Sequence, residues 1–321
     1  MGRAQVGEKT PGEPRWLAAA AGIVKRLPRG RYRAMDALSR AVSVPAFAAR
    51  FPRSDSSLVF ECDLRNSLAR EVYFTGQYEP QETALIEALV KPGQTFVDVG
   101  AHWGYFSLIA SQRVGAAGRV ISIEADPRLY RTLSRNVRAN ALAQIEPVHV
   151  AAAAEAGVLR MSGYSEQEEN WGVSRLLGSA HRGDSPNVFD VPTASIDALL
   201  DRRGIATVDV LKMDIEGAEA LALRGMEAGL RAGRYRMMVI ELHPAALPDF
   251  GTSVALLVDF ISSFGYRAWR IDHSKAAMRR SAYRTVAPSD LLSRWTTASE
   301  VDAWPHLLWS LTEPSFEGVI G

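Results

Sequence analysis

The sequence predicts a doubly wound α/β fold, an open and mostly parallel sheet with helices on both faces, preceded by a helical appendage. Three observations carry that reading. Short apolar runs of strand length alternate with helical patterns from Thr95 to Ile271. The first of these strands ends in a glycine turn, Asp98-Val-Gly-Ala-His-Trp-Gly104, that leads into a helix. The second, Arg119-Val-Ile-Ser-Ile-Glu124, ends in an acidic residue.

Taken in order, residues 1–53 form the basic appendage: a polar start, a short helix from Trp16 to Leu27, a Pro28-Arg-Gly30 break and a second amphipathic stretch from Tyr32 to Phe51. This segment holds eleven lysines and arginines against three acids, so its +8 within a whole-chain charge of +1 leaves −7 for the rest. It reads as a solvated tail, or as an arm for an anionic surface. Residues 54–94 are a lead-in covering the crevice, with strand-like alternation from Leu58 to Phe74. Tyr78-Glu-Pro-Gln-Glu-Thr83 then opens a helix to Leu89, which Lys91-Pro-Gly93 ends.

The main domain, 95–287, reads as strand 95–99, helix 104–113, strand 119–124, helix 127–140 and strand 145–151. The pattern breaks in an insertion at 155–192, which contains Trp171 and reads as a substrate loop or as disordered. It resumes with helix 195–203, strand 207–213, helix 216–231, strand 237–243, helix 252–264 and strand 266–271. The last strand is either Tyr283 to Ala287 or His306 to Leu311, the latter in the C-terminal segment 288–321.

With 321 residues, 47% hydrophobic and 23% charged, the chain can bury one substantial core. Its single cysteine, Cys62, excludes intrachain disulfides, thiolate zinc sites and the three-cysteine cluster of radical chemistry. No apolar run reaches the roughly 18 residues of a membrane span and no signal-peptide core follows Met1, so the cytoplasm is the expected location.

In a doubly wound sheet, ligands bind beyond the carboxyl ends of the strands. Asp98 therefore faces the crevice, and Glu124 stands where an acid accepts hydrogen bonds from ribose hydroxyls. Gly100 and Gly104 suit a left-handed backbone or a close approach of ligand to main chain. The spacing Gly-x-x-x-Gly, with His102 where a dinucleotide fingerprint has its second glycine, argues against NAD; a Walker lysine is absent as well. A second acidic group lies at later strand ends, in Lys212-Met-Asp-Ile-Glu-Gly-Ala-Glu219 and Glu241-Leu-His243.

These motifs, with Tyr78-Glu-Pro-x-Glu-Thr83, Ile123-Glu-Ala-Asp-Pro127 and the pair Asn136 and Asn140, together resemble the FkbM-type methyltransferases over roughly Tyr73 to Ile271. The resemblance implies the Rossmann-like class I methyltransferase fold with a seven-stranded sheet, and S-adenosylmethionine as cofactor. It implies that the turn at Gly100 holds the methionine end, Glu124 the ribose, and the segment near Ala151 the adenine. The cofactor-binding set is then Glu82, Thr83, Asp98, Gly100, His102, Gly104, Glu124, Ala125, Asn140, Ala151 and Asp214. His102 departs from the family, which usually has asparagine there.

Methyl transfer from a sulfonium asks the protein mainly to align the acceptor. For a hydroxyl acceptor the candidate catalytic groups at the rim are His243, Asp214 and Glu216. His243 reads equally as a strand-end histidine bonded to the backbone before Pro244. Asp214 and Glu216 also read as first-turn acids that stabilise a helix N-terminus, and for Glu219 that reading is preferred. No metal site is expected, although a Mg²⁺ or Ca²⁺ ion on Asp214, Glu216 or Glu241 is an alternative. Trp103 and Tyr105 read as either acceptor wall or core.

The expected partner is a small-molecule acceptor, such as a sugar or natural product, with no nucleic acid and no membrane span; a homo-oligomer is compatible. Two alternatives use the same fold. A nucleic-acid methyltransferase has only the basic arm for support, and Asp214-Ile-Glu-Gly replaces the motif expected of base-amine enzymes. An inactive cofactor-binding scaffold has only His102.

Overall fold

The computed structural model describes residues 11–52, 58–164, 174–176, 187–284, 286–296, 305–314 and 316. The chain divides into two compact units, Met1–Tyr78 and Glu79–Gly321.

The first unit contains helices α1 (Arg15–Arg26) and α2 (Arg31–Ala41), the antiparallel strands β1 (Phe47–Arg50) and β2 (Val59–Cys62), and helix α3 (Ser67–Thr75). The stretch from Tyr32 is thus not one amphipathic element: α2 ends at Ala41 and a strand follows. Likewise the strand-like alternation from Leu58 lasts only to Cys62. There Asn66 accepts a hydrogen bond from the Ala69 amide and caps α3, a side-chain contact that overrides the alternation. The core of this unit includes Leu17, Val24, Phe47, Phe60, Tyr73 and Phe74.

The second unit opens with α4 (Pro80–Leu89), whose proline occupies the first turn where its missing N–H costs nothing. The winding follows: β3 (Thr95–Val99), α5 (Tyr105–Val114), β4 (Arg119–Glu124), α6 (Pro127–Ala139, capped by the Asp126 carboxylate) and β5 (Ile145–His149). The insertion is not pattern-free. β6 (Ala151–Ala152), β7 (Gly157–Ser162), β8 (Arg175–Leu176) and β9 (Val188–Ala194) form a separate four-stranded sheet, in which β7 and β9 pair antiparallel from Gly157 opposite Thr193 to Ser162 opposite Val188. Trp171 lies outside the described residues.

The chain returns through α7 (Ile196–Asp201), capped by Ser195, to β10 (Val208–Met213), α8 (Glu219–Arg224), α9 (Glu227–Arg231) and β11 (Tyr235–Glu241). The single helix expected over 216–231 is therefore two short ones after a turn. Gly225 breaks them, packed so closely that a Cβ there would lie 2.1 Å from the Ala153 carbonyl oxygen. α10 (Val254–Ser262), β12 (Arg267–Ile271), α11 (Lys275–Tyr283), β13 (Leu292–Arg294) and β14 (His306–Ser310) complete the fold. The last strand of the main sheet is thus the His306 run, and Tyr283 ends a helix instead.

The main sheet has the order β13-β12-β14-β11-β10-β3-β4-β5. Strands β5, β4, β3, β10 and β11 are parallel, and β14 runs antiparallel between β11 and β12. Without the short edge strand β13 this is the predicted seven-stranded sheet; with it the count is eight. The chain starts in the middle at β3, moves outward through β4 and β5, then returns to β10 and moves outward the other way. Winding in two opposite directions from the middle of the sheet opens a crevice at the switch point, beyond the carboxyl ends of β3 and β10. Every residue of β10 is buried. Around it Leu211, Met213, Met238, Ile240, Leu307 and Trp309 close the core, each of the aliphatic side chains contributing roughly 1.5–3 kcal/mol on burial.

Candidate functional site

Strand register decides which side chains meet at the switch point. Asp98 lies opposite Lys212 on one neighbour and opposite Ser122 on the other, so all three project from the same face of the sheet. Asp98 is buried; Ser107 Oγ donates to its Oδ2 at 2.6 Å and shares a 2.7 Å hydrogen bond with Ser122. Burial raises its carboxyl above the ordinary range, opposed by the Lys212 charge and the Ser107 hydroxyl.

The turn that follows carries Gly100 and Gly104 with φ of +85° and +89°. A Cβ on Gly100 would stand 1.9 Å from the Asp214 carbonyl oxygen, and one on Gly104 would stand 2.6 Å from Leu133 Cδ1. Left-handed backbone and chain packing are each enough to exclude side chains at these two positions. His102 is also left-handed at φ 54°, a conformation that asparagine and histidine tolerate better than most residues.

At the tip of β4 the Glu124 carboxylate accepts the His102 amide on one oxygen at 2.8 Å and the Asp126 amide on the other at 2.7 Å. The Ala125 amide also favours the ionised carboxylate, and the four lone-pair sites of the two oxygens still leave room for a further donor such as a ribose hydroxyl. Burial pushes Glu124 up to about 7, against the amides that favour its ionised form. Ala125 accepts a hydrogen bond from the His149 ring, which stacks on Tyr130 with centroids 4.9 Å apart. The Val150 amide bonds to the Glu124 carbonyl, which brings buried Ala151 beside the same tip.

On the other side of the switch point the ends of β10, β11 and β14 bring acids and imidazoles together. His243 Nδ1 lies 2.9 Å from Glu219 Oε1, which also accepts the Gly217 amide at 3.0 Å. The ring thereby turns Nε2 toward Glu216 Oε2 at 3.5 Å, Glu241 Oε1 at 3.8 Å and Asp214 Oδ1 at 3.9 Å. Although burial disfavours the cation, Glu219, Asp214 and Glu216 hold the His243 pKa above its usual value. Glu241 is opposite His306 in register, and His306 Nε2 approaches Glu241 Oε1 at 3.4 Å. His306 Nδ1 lies 2.8 Å from Glu82 Oε1, which bonds to the His273 ring as well. The two imidazoles stack at 3.6 Å.

Lys212 makes this concentration of carboxylates tolerable. It is 5% exposed, with Nζ 3.5 Å from Asp214 Oδ2 and 3.9 Å from Glu79 Oε2, over the Phe106 ring. Burial alone would lower its pKa, but Asp214, Glu79, Asp98 and Glu241 raise it well above the ordinary value. Three of the four non-glycine residues with positive φ, Glu79, His102 and Glu216, border this crevice among the described residues. Each such conformation costs about 1–3 kcal/mol and marks a site held by its surroundings.

A model of the methyltransferase FkbM domain matches residues 98–268. The chain belongs to the FkbM methyltransferase family. It is 26% identical over 155 residues to the methyltransferase sdnD of Sordaria araneosa, a match spanning 41% of this chain and 60% of that protein's length. The crystal structure of methyltransferase FkbM from Methylobacillus flagellatus is similar over 87% of this chain and 58% of its own, with 16% identity and a TM-score of 0.41. A SAM-dependent methyltransferase from Aquifex aeolicus is similar over 72% of this chain and 88% of its own, with 15% identity and a TM-score of 0.37.

Within this FkbM domain, Asp98, Gly100, His102, Gly104, Glu124, Ala125 and Ala151 fall along one edge, and Asp214 joins them through its carbonyl contact with Gly100. Thr83 shares a 3.1 Å hydrogen bond with the Tyr105 hydroxyl, and Glu82 is taken up by two imidazoles. Asn140 does not reach the crevice. It ends α6, about 20 Å along a 13-residue helix from the Glu124 end, and donates to the Asn136 carbonyl. Asp214 and Glu216 precede α8 instead of occupying its first turn, so the helix-dipole explanation does not hold for them. Glu219 does begin α8, but its partner is His243, and His243 itself is bonded to a carboxylate, not to backbone. Trp103 and Tyr105 are core residues, 4% and 3% exposed.

Lys212, Glu79, His273 and His306 carried no role in the sequence reading. A lysine inside a fully buried strand is the available signal for the first, since such a charge is buried only when paired. His273 follows the last strand of the regular winding and His306 opens a short apolar run, and neither stands in a motif that marks a site.

Proposed function

We propose that this chain is an S-adenosylmethionine-dependent methyltransferase acting on a hydroxyl of a small polyhydroxylated molecule, such as a sugar or natural product. The observation that carries it is the pairing, across one switch point, of a hydroxyl-accepting carboxylate at Glu124 with an oriented imidazole and acids at Asp214, Glu216 and His243.

The donor set fits the cofactor. Glu124 keeps acceptor capacity for a ribose hydroxyl, and a crevice with more carboxylates than cations suits a ligand bearing an ammonium and a sulfonium. When bound, the cofactor supplies an electrophilic methyl group on sulfur. Glu124, clamped by the His102 and Asp126 amides, fixes the nucleoside. Asp98, held by Ser107, faces the same end of β3 as the glycine turn. Asp214, Glu216 and His243 form the receiving rim, which orients the acceptor hydroxyl and accepts its proton.

Calorimetry tests this directly. S-adenosylmethionine binds and NADH does not; Glu124→Ala weakens the former at least tenfold, and a panel of polyols and glycosides yields a product heavier by one methylene unit. Binding of NADH, or unchanged cofactor affinity in Glu124→Ala, overturns it.

A further inference from the structure

We infer that Asp214, Glu216 and His243 hold a divalent metal ion, with Glu241 as a fourth ligand to the same centre. One ligand atom from each of the first three lies within 4.8 Å of the others. The distances from His243 Nε2 to Glu216 Oε2, Glu241 Oε1 and Asp214 Oδ1, 3.5, 3.8 and 3.9 Å, are too long for good hydrogen bonds. Two ligands about 2.1 Å from a metal stand roughly 3.0 Å apart at octahedral and 3.4 Å apart at tetrahedral angles, so these atoms need to close by only a few tenths of an ångström to about 1 Å to share one ion.

The imidazole supplies an independent observation. Its residue is 7% exposed, and Nε2 makes no hydrogen bond among the described residues although it points into the three carboxylates. The other nitrogen is anchored to Glu219, a carboxylate with 0% exposure. A carboxylate behind the far nitrogen of a ligating histidine fixes its tautomer and makes it a better donor. The oxygens are also shared out appropriately: Asp214 gives Oδ2 to Lys212 and turns Oδ1 to the imidazole.

Charge points the same way. Seven carboxylates, Glu79, Glu82, Asp98, Asp214, Glu216, Glu219 and Glu241, meet one lysine and three imidazoles. One nitrogen and carboxylate oxygens, with no thiolate, suit Mn²⁺ or a similar first-row ion. The second cluster, Glu82, His273 and His306, differs because its ligand atoms already bond to one another.

The use of this ion rests on the methyl-transfer reading; its binding does not. A hydroxyl in an open coordination position becomes more acidic and loses its proton to the second oxygen of Glu216. His243 then acts as ligand, and the rim reaches the acceptor through the metal.

The test is titration of the chelator-stripped full chain with MnCl₂, followed by calorimetry and by electron paramagnetic resonance. One Mn²⁺ binds per chain; His243→Gln and Glu216→Gln weaken it more than tenfold, Glu219→Gln weakens it about tenfold, and His273→Asn changes it less than twofold. If a variant fails to fold, pulsed resonance of the wild-type chain grown with ¹⁵N-histidine must show a single imidazole nitrogen on Mn²⁺. No Mn²⁺ binding at millimolar concentration, no imidazole coupling, unchanged binding in folded His243→Gln, or loss in His273→Asn each overturns the inference. S-adenosylmethionine is titrated separately: cofactor binding without Mn²⁺ sinks the metal site alone, and Mn²⁺ binding without cofactor binding sinks the methyl-transfer reading alone.

Discussion

Gly100 and Asp214 pack main chain against main chain: the position a Cβ would take on Gly100 is 1.9 Å from the Asp214 carbonyl oxygen. The Asp214 amide also donates to the Val99 carbonyl at 3.0 Å, and this hydrogen bond ties the turn after β3 to the end of β10, and so the proposed cofactor edge to the proposed acceptor rim. Gly100→Ala adds a backbone clash to a left-handed φ, so a loss above about 3 kcal/mol is expected, with cofactor affinity falling in parallel. Gly93→Ala is the control, since Gly93 has φ +80° but open space around its Cα; about 1 kcal/mol is expected there. Urea unfolding of both variants checks the difference.

Glu124 gives the cofactor step a pH dependence. Burial pushes its carboxyl up to about 7, above the unfolded value, so the folded state retains a proton that the unfolded chain has lost. The contribution to stability is therefore fully present below the unfolded pKa and is lost as pH rises through about 7. Ribose hydroxyls donate better to the ionised carboxylate, so cofactor affinity moves the opposite way. Calorimetry between pH 6 and 8 is expected to show affinity rising in the wild-type chain and a flat profile in Glu124→Gln.

Lys212→Met removes the buried cation that faces Asp214, Glu79 and Asp98. Stranding those carboxylates costs about 3–5 kcal/mol, whereas Lys275→Met at an exposed position changes stability by less than about 0.5 kcal/mol. Denaturant midpoints of the two variants read the contrast.

Glu216 sits at φ 55° among other carboxylates. Glu216→Asn, which suits the left-handed region and removes a charge, is expected to stabilise the fold by about 1 kcal/mol. Methyl transfer and Mn²⁺ affinity should fall at the same time. A melting temperature that drops would show that the carboxylate serves the fold and not the site.

The winding is legible in the chain's own order of residues. Strand and helix periodicity from Thr95 to Ile271, the Gly100 turn and the acids at the ends of β3, β4 and β10 are local patterns, and local patterns survive in a linear text. Which acids acquire partners depends on the assembled sheet and the helices packed on it. His243 meets Glu219 from 24 residues away, and His273 meets Glu82 from 191, because strand register and helix packing set them side by side. Register likewise placed Lys212 beside Asp98 and Glu241 beside His306. Asn140, inside a motif, was carried out of the crevice by the length of its helix. The physical reason is common to all of these: a side chain's ionisation, orientation and role depend on burial and on what stands opposite, and neither exists until the sheet is assembled.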